Sequence, residues 1–364
     1  MNRHCKQQLQ KFGLTQADIT HVCIAPNLFP FLQYLLLMDD DIIFNHTYYF
    51  VNELVPEEAR NKIPCSCFEY YGKSFSQKLQ RRINKIKLRF LKYIDYPFLN
   101  TAEIYAYDVP YLSLCIGKRP YSLLSDAPNW VTLHMQPTSM VYIRLRKKAT
   151  SLQGKIQSLV YGNLFVNYLG NNKQCKTIYL TEEYTYSPML DGKKVYIQPL
   201  DILYSNSSDE KRKFIMQMFH VTPMDIDTLN KYPIIFFSQP LMKDCELTKE
   251  EYIKILQKIF AHYSIGSILI KTHPRDTFEY NKFFPEINVF TKAINSQLLY
   301  LMGVSPQRIV TISSTAIEGF PETIECDYFG VSIHPKVEKY LGNNFTPRRK
   351  VNHMINRNTH NNET

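Results

Sequence analysis

The segment Pro233-Ile-Ile-Phe-Phe-Ser238 decides the fold class, because a short apolar run that ends in a polar residue is typical of a buried strand in a parallel sheet. Thr248-Lys-Glu-Glu251 follows with the pattern of a capping box, which predicts a helix over 248–264. Further elements continue the alternation: strands over 267–271, 287–290 and 308–312, and helices over 297–302 and from about residue 315. This order predicts a parallel sheet with helices on its faces.

The N-terminal half alternates in the same way and predicts a second α/β domain. Strands are predicted over 21–25, 42–51, 103–107 and 121–124, and helices over 28–38, 56–62 and 75–93. The pattern loosens between about 150 and 231, so we place the connection between the domains near 205–230. The predicted division is 1–215 and 216–346, followed by a polar tail, 347–364, that we expect to be disordered.

Polar residues follow three of the C-terminal strands, at the sheet edge where ligands of such folds bind. Hydroxyls beside unpaired backbone N–H groups suit a phosphate, a histidine can assist a leaving phosphate, and a carboxylate can act as a base. The ordinary alternatives are a helix N-cap and a capped loop histidine, and a second His-Pro pair occurs at His334-Pro335. The residues concerned are Ser238, Gln239, Asp244, His273, Pro274, Arg275, Ser313, Ser314 and Thr315.

Glycine is scarce, which excludes several nucleotide-binding motifs. The chain has 12 glycines, against about 25 expected from average usage. No two of them form G-x-G and no two are five residues apart, so the dinucleotide-binding, kinase and P-loop glycine motifs are absent. The formal net charge of +10 favours an anionic partner without choosing among them.

Cysteine usage predicts a reducing compartment. The eight cysteines are scattered, several within apolar runs, and only Cys65 and Cys67 form a close pair, so we expect free thiols and no metal site. The longest apolar run, Phe29 to Met38, is too short to cross a membrane, and no signal peptide pattern follows Met1. We therefore expect a cytoplasmic protein.

The order I-I-F-F-S-Q-P-L, I-K-T-H-P-R-D and T-I-S-S-T-A resembles glycosyltransferase family 52, over about residues 20 to 335. The resemblance implies a GT-B fold, with two Rossmann-like domains whose parallel sheets face across a cleft. It implies that 1–215 is the acceptor side and that 216–346 binds the nucleotide sugar. The implied reaction is an inverting, metal-independent transfer of sialic acid from CMP-sialic acid to a terminal galactose of lipooligosaccharide or capsule.

The resemblance also implies roles for individual residues. His273 would assist departure of CMP, Ser313 and Ser314 would hold its phosphate, and Asp244 would be the base. The wider set of GT-B sialyltransferases carries an acidic D/E-D/E-G motif in the first domain. Here Leu124-Ser-Asp-Ala-Pro-Asn129 retains Asp126 but lacks the second acid and the glycine, so Asp126 is the second candidate base.

One predicted helix, 75–93, has two interpretations. Leu79, Ile83, Ile86 and Phe90 share a face, and the other faces are basic. The helix either packs by its apolar stripe as an ordinary surface helix, or docks with the basic residues 348–350 on the anionic inner leaflet. We also expect a homodimer and no nucleic acid partner. The rival functions are transfer from a UDP-sugar by the same fold and, from another class, non-catalytic binding of an anionic polymer.

Overall fold

Two compact units make up the chain, Met1–Met218 and Phe219–Thr364. The predicted division falls between residues 215 and 216. Each unit contains one parallel sheet, so the predicted α/β class is confirmed. The computed structural model describes residues 1–68, 75–108, 111–125, 140–181, 192–292, 294, 296–341 and 350–354.

The first unit is a seven-stranded parallel sheet in the order β3-β2-β1-β4-β5-β6-β7. Its first six positions follow the doubly wound order 3-2-1-4-5-6 of nucleotide-binding folds. The strands are β1 (His21–Ala25), β2 (Thr47–Asn52), β3 (Cys65–Phe68), β4 (Glu103–Ala106), β5 (Tyr121–Leu123), β6 (Cys175–Leu180) and β7 (Lys194–Ile197).

Helices of the first unit connect these strands. The α-helices are Arg3–Lys11, Leu28–Leu37, Glu57–Arg60, Phe75–Phe90, Lys92–Asp95, Ser113–Ile116, Met140–Thr150, Leu152–Tyr161, Leu200–Ser205 and Asp209–Met218. Short 3-10 helices cover Pro97–Asn100 and Asn163–Phe165, and a π-helix covers Ile42–His46, where the sequence predicted the start of a strand.

The sequence predicts no strand in the loosely patterned segment after residue 150, whereas the structure has β6 and β7 there. The strand β7 is at the edge of the sheet and is mostly exposed, and β6 is only half buried. Such strands need no continuous apolar run, so the pattern used for buried strands did not detect them.

The second unit has six parallel strands in the order β10-β9-β8-β11-β12-β13, which again is 3-2-1-4-5-6 counted from β8. The strands are β8 (Ile234–Phe237), β9 (Ile268–Lys271), β10 (Asn288–Phe290), β11 (Arg308–Thr311), β12 (Glu325–Tyr328) and β13 (Asn352–His353). The α-helices are Pro223–Asn230, Leu241–Asp244, Lys249–Phe260, Tyr280–Phe283, Ser296–Leu301 and Pro335–Leu341, with 3-10 helices at Ile265–Ser267, Thr315–Gly319 and Val331–Ile333.

The predicted capping box is confirmed at the helix Lys249–Phe260. The Thr248 N–H donates to Glu251 Oε2 at 2.8 Å, and the Glu251 N–H donates to Thr248 Oγ1 at 3.2 Å. Tyr252 and Leu256 are fully buried on the predicted apolar face. This helix therefore packs on the sheet as its sequence indicates.

Part of the polar tail is ordered, so the predicted disorder is wrong for residues 350–354. Asn352–His353 pairs in parallel with β12, and the Asn352 amide donates to Asp327 Oδ1 at 3.0 Å. Met354 is buried in the core of the second unit. Burial of Met354 and the hydrogen bond of Asn352 to the buried Asp327 carboxylate thus order residues 350–354, although the tail as a whole is polar. The other predicted tail residues lie outside the described part of the chain.

The apolar stripe of the helix Phe75–Phe90 does not pack into the core, contrary to the first interpretation. Leu79, Ile83, Ile86 and Phe90 are 38 to 64% exposed. The core instead receives Leu88, and Arg81 and Lys85 lie over the Tyr111 ring at 5.3 and 5.9 Å from its centre. Periodicity defines a face of a helix, but the neighbouring elements decide which face is covered.

Seven of the eight cysteines are buried free thiols and Cys67 is exposed. Cys65 and Cys67 are two apart on one strand, so their side chains lie on the same face of the sheet, and no disulfide joins them. Among the described residues, no helix is long and apolar enough to span a membrane, and no cluster of three or more metal-ligating side chains occurs.

Candidate active site

The strand order of the second unit reverses between β8 and β11, and this place is called the switch point of the sheet. Ligands of doubly wound sheets bind at the switch point, beyond the carboxyl ends of the strands. The predicted residues of this unit follow β8, β9 and β11, at that edge. Parallel pairing of β8 with both β9 and β11 brings the three strand ends side by side.

Gln239 connects the ends of β8 and β11. Its Oε1 accepts from the Ser313 N–H at 2.9 Å and from the Ser313 hydroxyl at 3.1 Å. Both donors of Ser313 are therefore directed at the glutamine. These two predicted residues hold the loops of the switch point together.

Ser238 connects the ends of β8 and β9. Its hydroxyl accepts from the His273 N–H at 3.0 Å and donates to Asp276 Oδ2 at 2.5 Å. Asp276 also accepts from the Tyr280 hydroxyl at 2.7 Å. Burial raises the pKa of Asp276, and these hydrogen bonds oppose the rise. The serine and the aspartate fix the backbone that carries His273.

His273 is held as a neutral ring. Its Nδ1 accepts from the Arg275 N–H at 3.0 Å, and a backbone N–H can only donate, so the ring proton of the neutral form is on Nε2. Burial, with the positive charges of Arg275 and Lys271, lowers the pKa of His273 to about 4. The half-buried ring therefore offers an Nε2–H donor in a positively charged environment.

Arg275 and Asp244 form a bidentate ion pair. The Arg275 Nη1 and Nη2 donate to Asp244 Oδ1 and Oδ2 at 3.2 and 3.1 Å. Both carboxylate oxygens are thus engaged in this structure. The pair connects the helix Leu241–Asp244 to the loop after β9. Pro274, which lies between His273 and Arg275 in that loop, is exposed.

Ser314 is the N-cap of the 3-10 helix Thr315–Gly319. Its Oγ accepts from the Ala316 N–H at 3.1 Å, and among the described residues no acceptor engages the hydroxyl proton of Ser314, which can therefore act as a donor. Only the backbone of Thr315 is described. The helix predicted to begin near Thr315 is a five-residue 3-10 helix, which is too short to supply the dipole that the phosphate hypothesis assumes.

Three residues of this edge were missed by sequence reasoning. Asp276 and Tyr280 carry the hydrogen bonds behind Ser238, and Lys271 is fully buried at the end of β9, where its Nζ donates to Thr272 O at 2.8 Å. Burial lowers the pKa of Lys271 to about 7. The sequence signal for Lys271 is its position at the end of the apolar run Ile268–Lys271. That position by itself predicts only the end of a strand.

In the first unit, Asp126 lies outside the described residues, but the residue before it is firmly placed. The Ser125 N–H donates to Gln33 Oε1 at 2.7 Å, and Gln33 Nε2 donates to Tyr179 O at 3.1 Å. Gln33 is fully buried in the helix Leu28–Leu37. The single amide in the longest apolar run thus fixes the end of β5 beside β6.

The fold is similar to that of solved GT-B enzymes. A 2,6-sialyltransferase from Photobacterium sp. JT-ISH-224, solved with CMP and lactose, is 11% identical with a TM-score of 0.55, over 85% of this chain and 71% of that one. The GT-B domain of a Photobacterium damselae sialyltransferase is 13% identical with a TM-score of 0.50, over 88% and 97%. At these identities the likeness concerns the fold.

Two sequence relationships are more direct. An uncharacterized protein of Haemophilus influenzae is 32% identical over 174 residues, which are 48% of this chain and 56% of that protein, so the match spans about half of the relative's length. The family model of glycosyltransferase family 52 matches residues 140–336, more than half of the 364 residues, and includes β8, β9 and β11 with the polar residues that follow them. The chain therefore belongs to glycosyltransferase family 52.

Proposed function

We propose that this chain transfers sialic acid from CMP-sialic acid to a terminal galactose of a surface glycan. The observation that carries the proposal is the hydrogen-bonded sheet edge of the second unit. There Gln239 binds Ser313, the neighbour of Ser314 in the chain, and Ser238 binds the backbone of His273 beyond the carboxyl ends of a doubly wound sheet. Family membership and the fold shared with sialyltransferases support the same assignment.

The reaction would be a single displacement. The acceptor hydroxyl oxygen forms a bond to the anomeric carbon while the bond from that carbon to the phosphate oxygen breaks, and CMP leaves with the electron pair. His273 Nε2–H and the Ser314 hydroxyl would donate to the phosphate as its charge develops. Ser313 and Ser238 would position these donors, because their own hydrogen bonds are already made.

The base that takes the acceptor's proton is Asp244 or Asp126. Asp244 is engaged by Arg275 through both oxygens, which suits a residue that positions the arginine. A base role for Asp244 would require that pair to open. We therefore place Asp126 first, and the comparison of the two variants is given in the Discussion.

The acceptor would be lipooligosaccharide or capsule, reached from the cytoplasm at the inner face of the membrane, with the enzyme acting without a metal and as a homodimer. The alternative is transfer from a UDP-sugar, because the switch point would hold either nucleotide. Binding of an anionic polymer without catalysis has only the net charge of +10 in its favour.

The test is release of CMP from CMP-sialic acid with lactose as acceptor, together with a thermal-shift comparison of CMP, UMP and UDP. A ligand that binds only the folded chain raises its melting temperature. We expect CMP to stabilise the chain and sialyllactose to form. Stabilisation by UDP alone, with no CMP release, would replace the sialyl donor by a UDP-sugar.

A further inference from the structure

A cationic cavity lies in the first unit, and none of its lining residues is among those proposed for transfer. Its volume is about 700 Å³. Four cations line it, Arg89, Lys92, Lys118 and Lys173, together with five amide side chains, and the described lining contains no carboxylate. Four positive charges without a neighbouring carboxylate favour binding of an anion, because the anion supplies the negative charge that the described lining lacks.

The cavity is at the opposite sheet edge from the carboxyl ends of the strands. Gly117 and Lys118 precede β5, and the segment 171–174 precedes β6, so both line the cavity from the amino ends of their strands. Ligands that react in doubly wound sheets bind at the carboxyl ends. The cavity is therefore suited to a binding role that is separate from catalysis.

Two of the cations pack against glycines. Lys92 is 2% exposed and its Nζ donates to Leu114 O at 2.7 Å. Gly117 has φ +66°, and a Cβ there would lie 2.6 Å from that Nζ. Arg89 lies against Gly162, whose φ is +96°, and the buried Arg89 Nε has no hydrogen-bond partner among the described residues. The backbone is shaped around these charges.

Burial lowers the pKa of Lys92 to about 8, and the nearby Arg89 acts in the same direction. An anion in the cavity would relieve this repulsion between neighbouring cations.

Exposed apolar side chains adjoin the cavity in the chain. Phe90, Leu91 and Ile94 follow or flank Arg89 and Lys92, and Leu159 and Val160 precede the lining residue Tyr161. These five side chains are 40 to 81% exposed. Exposed apolar side chains next in the chain to residues of a cationic wall match the two parts of an anionic lipid, an acyl boundary and a phosphate headgroup.

We propose that this cavity binds the phosphate headgroup of an anionic membrane phospholipid, with Phe90, Ile94 and Leu159 inserted into the lipid boundary. The full chain thereby docks on an anionic membrane through a specific site. This docking does not depend on the identity of the sugar donor.

The experiment measures binding of the full chain to vesicles of phosphatidylcholine with and without phosphatidylglycerol. A triple variant removes three lining charges, and a matched control removes three exposed charges from the second unit. The variant is Arg89→Gln, Lys118→Gln and Lys173→Gln, and the control is Lys231→Gln, Lys254→Gln and Lys258→Gln. Release of CMP with lactose is measured for both, so that failure of the active site is recognised separately.

We expect wild type and control to bind only the anionic vesicles. The cavity variant should need on the order of 10² times more lipid for half binding, because each basic residue near an anionic surface contributes a factor of about five. Phe90→Ser with Leu159→Ser should weaken binding without changing CMP release.

Three results would overturn the proposal. The first is equal vesicle binding by cavity variant and control. The second is thermal stabilisation by inorganic phosphate with no vesicle binding, which would assign the cavity to a free anion. The third is a wild-type dimer that becomes monomeric when Phe90 and Leu159 are replaced and that binds no vesicles, which would assign the apolar residues to a second copy of the chain.

Discussion

Replacing His273 by asparagine separates the chemistry of this ring from its structural contact. The asparagine Oδ1 can accept from the Arg275 N–H as His273 Nδ1 does, so the loop after β9 should keep its shape. The variant loses the Nε2–H donor and the titrating group. His334 is the matched control, because its Nδ1 accepts from the Lys336 N–H at 3.2 Å in a second His-Pro sequence outside the proposed site.

The effect on stability follows from the pKa of His273, which burial lowers from 6.5 to about 4. In the unfolded chain the ring takes up a proton as the pH falls through 6.5, whereas in the folded chain it stays neutral until about pH 4. The unfolded state therefore binds more protons in this window, and stability is lost as the pH falls. The difference corresponds to about 3 kcal/mol below pH 4 and about 2 kcal/mol at pH 5.

Urea unfolding at pH 7 and pH 5 measures this loss. We expect the fall in unfolding free energy between the two pH values to be about 2 kcal/mol smaller in His273→Asn than in wild type. The same measurement on His334→Asn controls for replacing a histidine elsewhere in the unit. An equal fall in wild type and His273→Asn would refute the inference that the ring is buried and neutral.

Turnover is the second measurement on His273→Asn. A lost hydrogen bond to a charged phosphate, about 1.5 to 3 kcal/mol, predicts a decrease of roughly 10- to 10²-fold. A decrease toward 10⁴-fold would mean that the bound phosphate raises the pKa of the ring enough for it to transfer a proton. Normal turnover in a folded variant would remove His273 from the mechanism.

The remaining predictions concern four other features of the chain. Asp126→Asn should abolish most turnover and Asp244→Asn should reduce it less, and if both stay active neither carboxylate is the base. Ser314→Ala should weaken CMP binding about tenfold in a thermal-shift titration, whereas Ser313→Ala should chiefly lower stability; the reverse order would contradict the assigned donors. Sialyl transfer should continue in excess EDTA, and its loss and restoration by a divalent cation would show that a metal takes part. Asp327→Ala removes a buried carboxylate that accepts from three side chains, so urea unfolding should show a loss of about 3–5 kcal/mol; a change under 1 kcal/mol would contradict this estimate.

The sequence predicted those parts of the fold whose signals are local. The apolar run of β8 and the capping box of the helix Lys249–Phe260 appear in the structure with nearly the predicted bounds. These elements are determined by their own residues, because a buried strand needs consecutive apolar side chains and a helix N-terminus needs its own cap. The sequence does not predict the edge strand β7, because its own composition does not determine its conformation. Its extended conformation depends on pairing with β6.

The grouping of Ser238, His273 and Ser313 at one sheet edge could be predicted from the sequence, because parallel strands all end on the same side. Their division of work could not. Tertiary contacts engage both donors of Ser313 with Gln239, whereas within the described part of the chain the Nε2–H of His273 and the hydroxyl proton of Ser314 have no acceptor. They also pair Asp244 with Arg275, 31 residues further along the chain.

The sequence by itself determined that this chain has parallel α/β sheets, polar strand ends and a basic surface. Only the tertiary structure decided which polar groups are already satisfied. It also decided that the apolar stripe of the helix Phe75–Phe90 is exposed and that Arg89, near the end of this helix, lines a cationic cavity. Local sequence fixes the conformation and the faces of an element, but hydrogen-bond partners and burial depend on side chains that are distant in the chain and meet only in the folded protein.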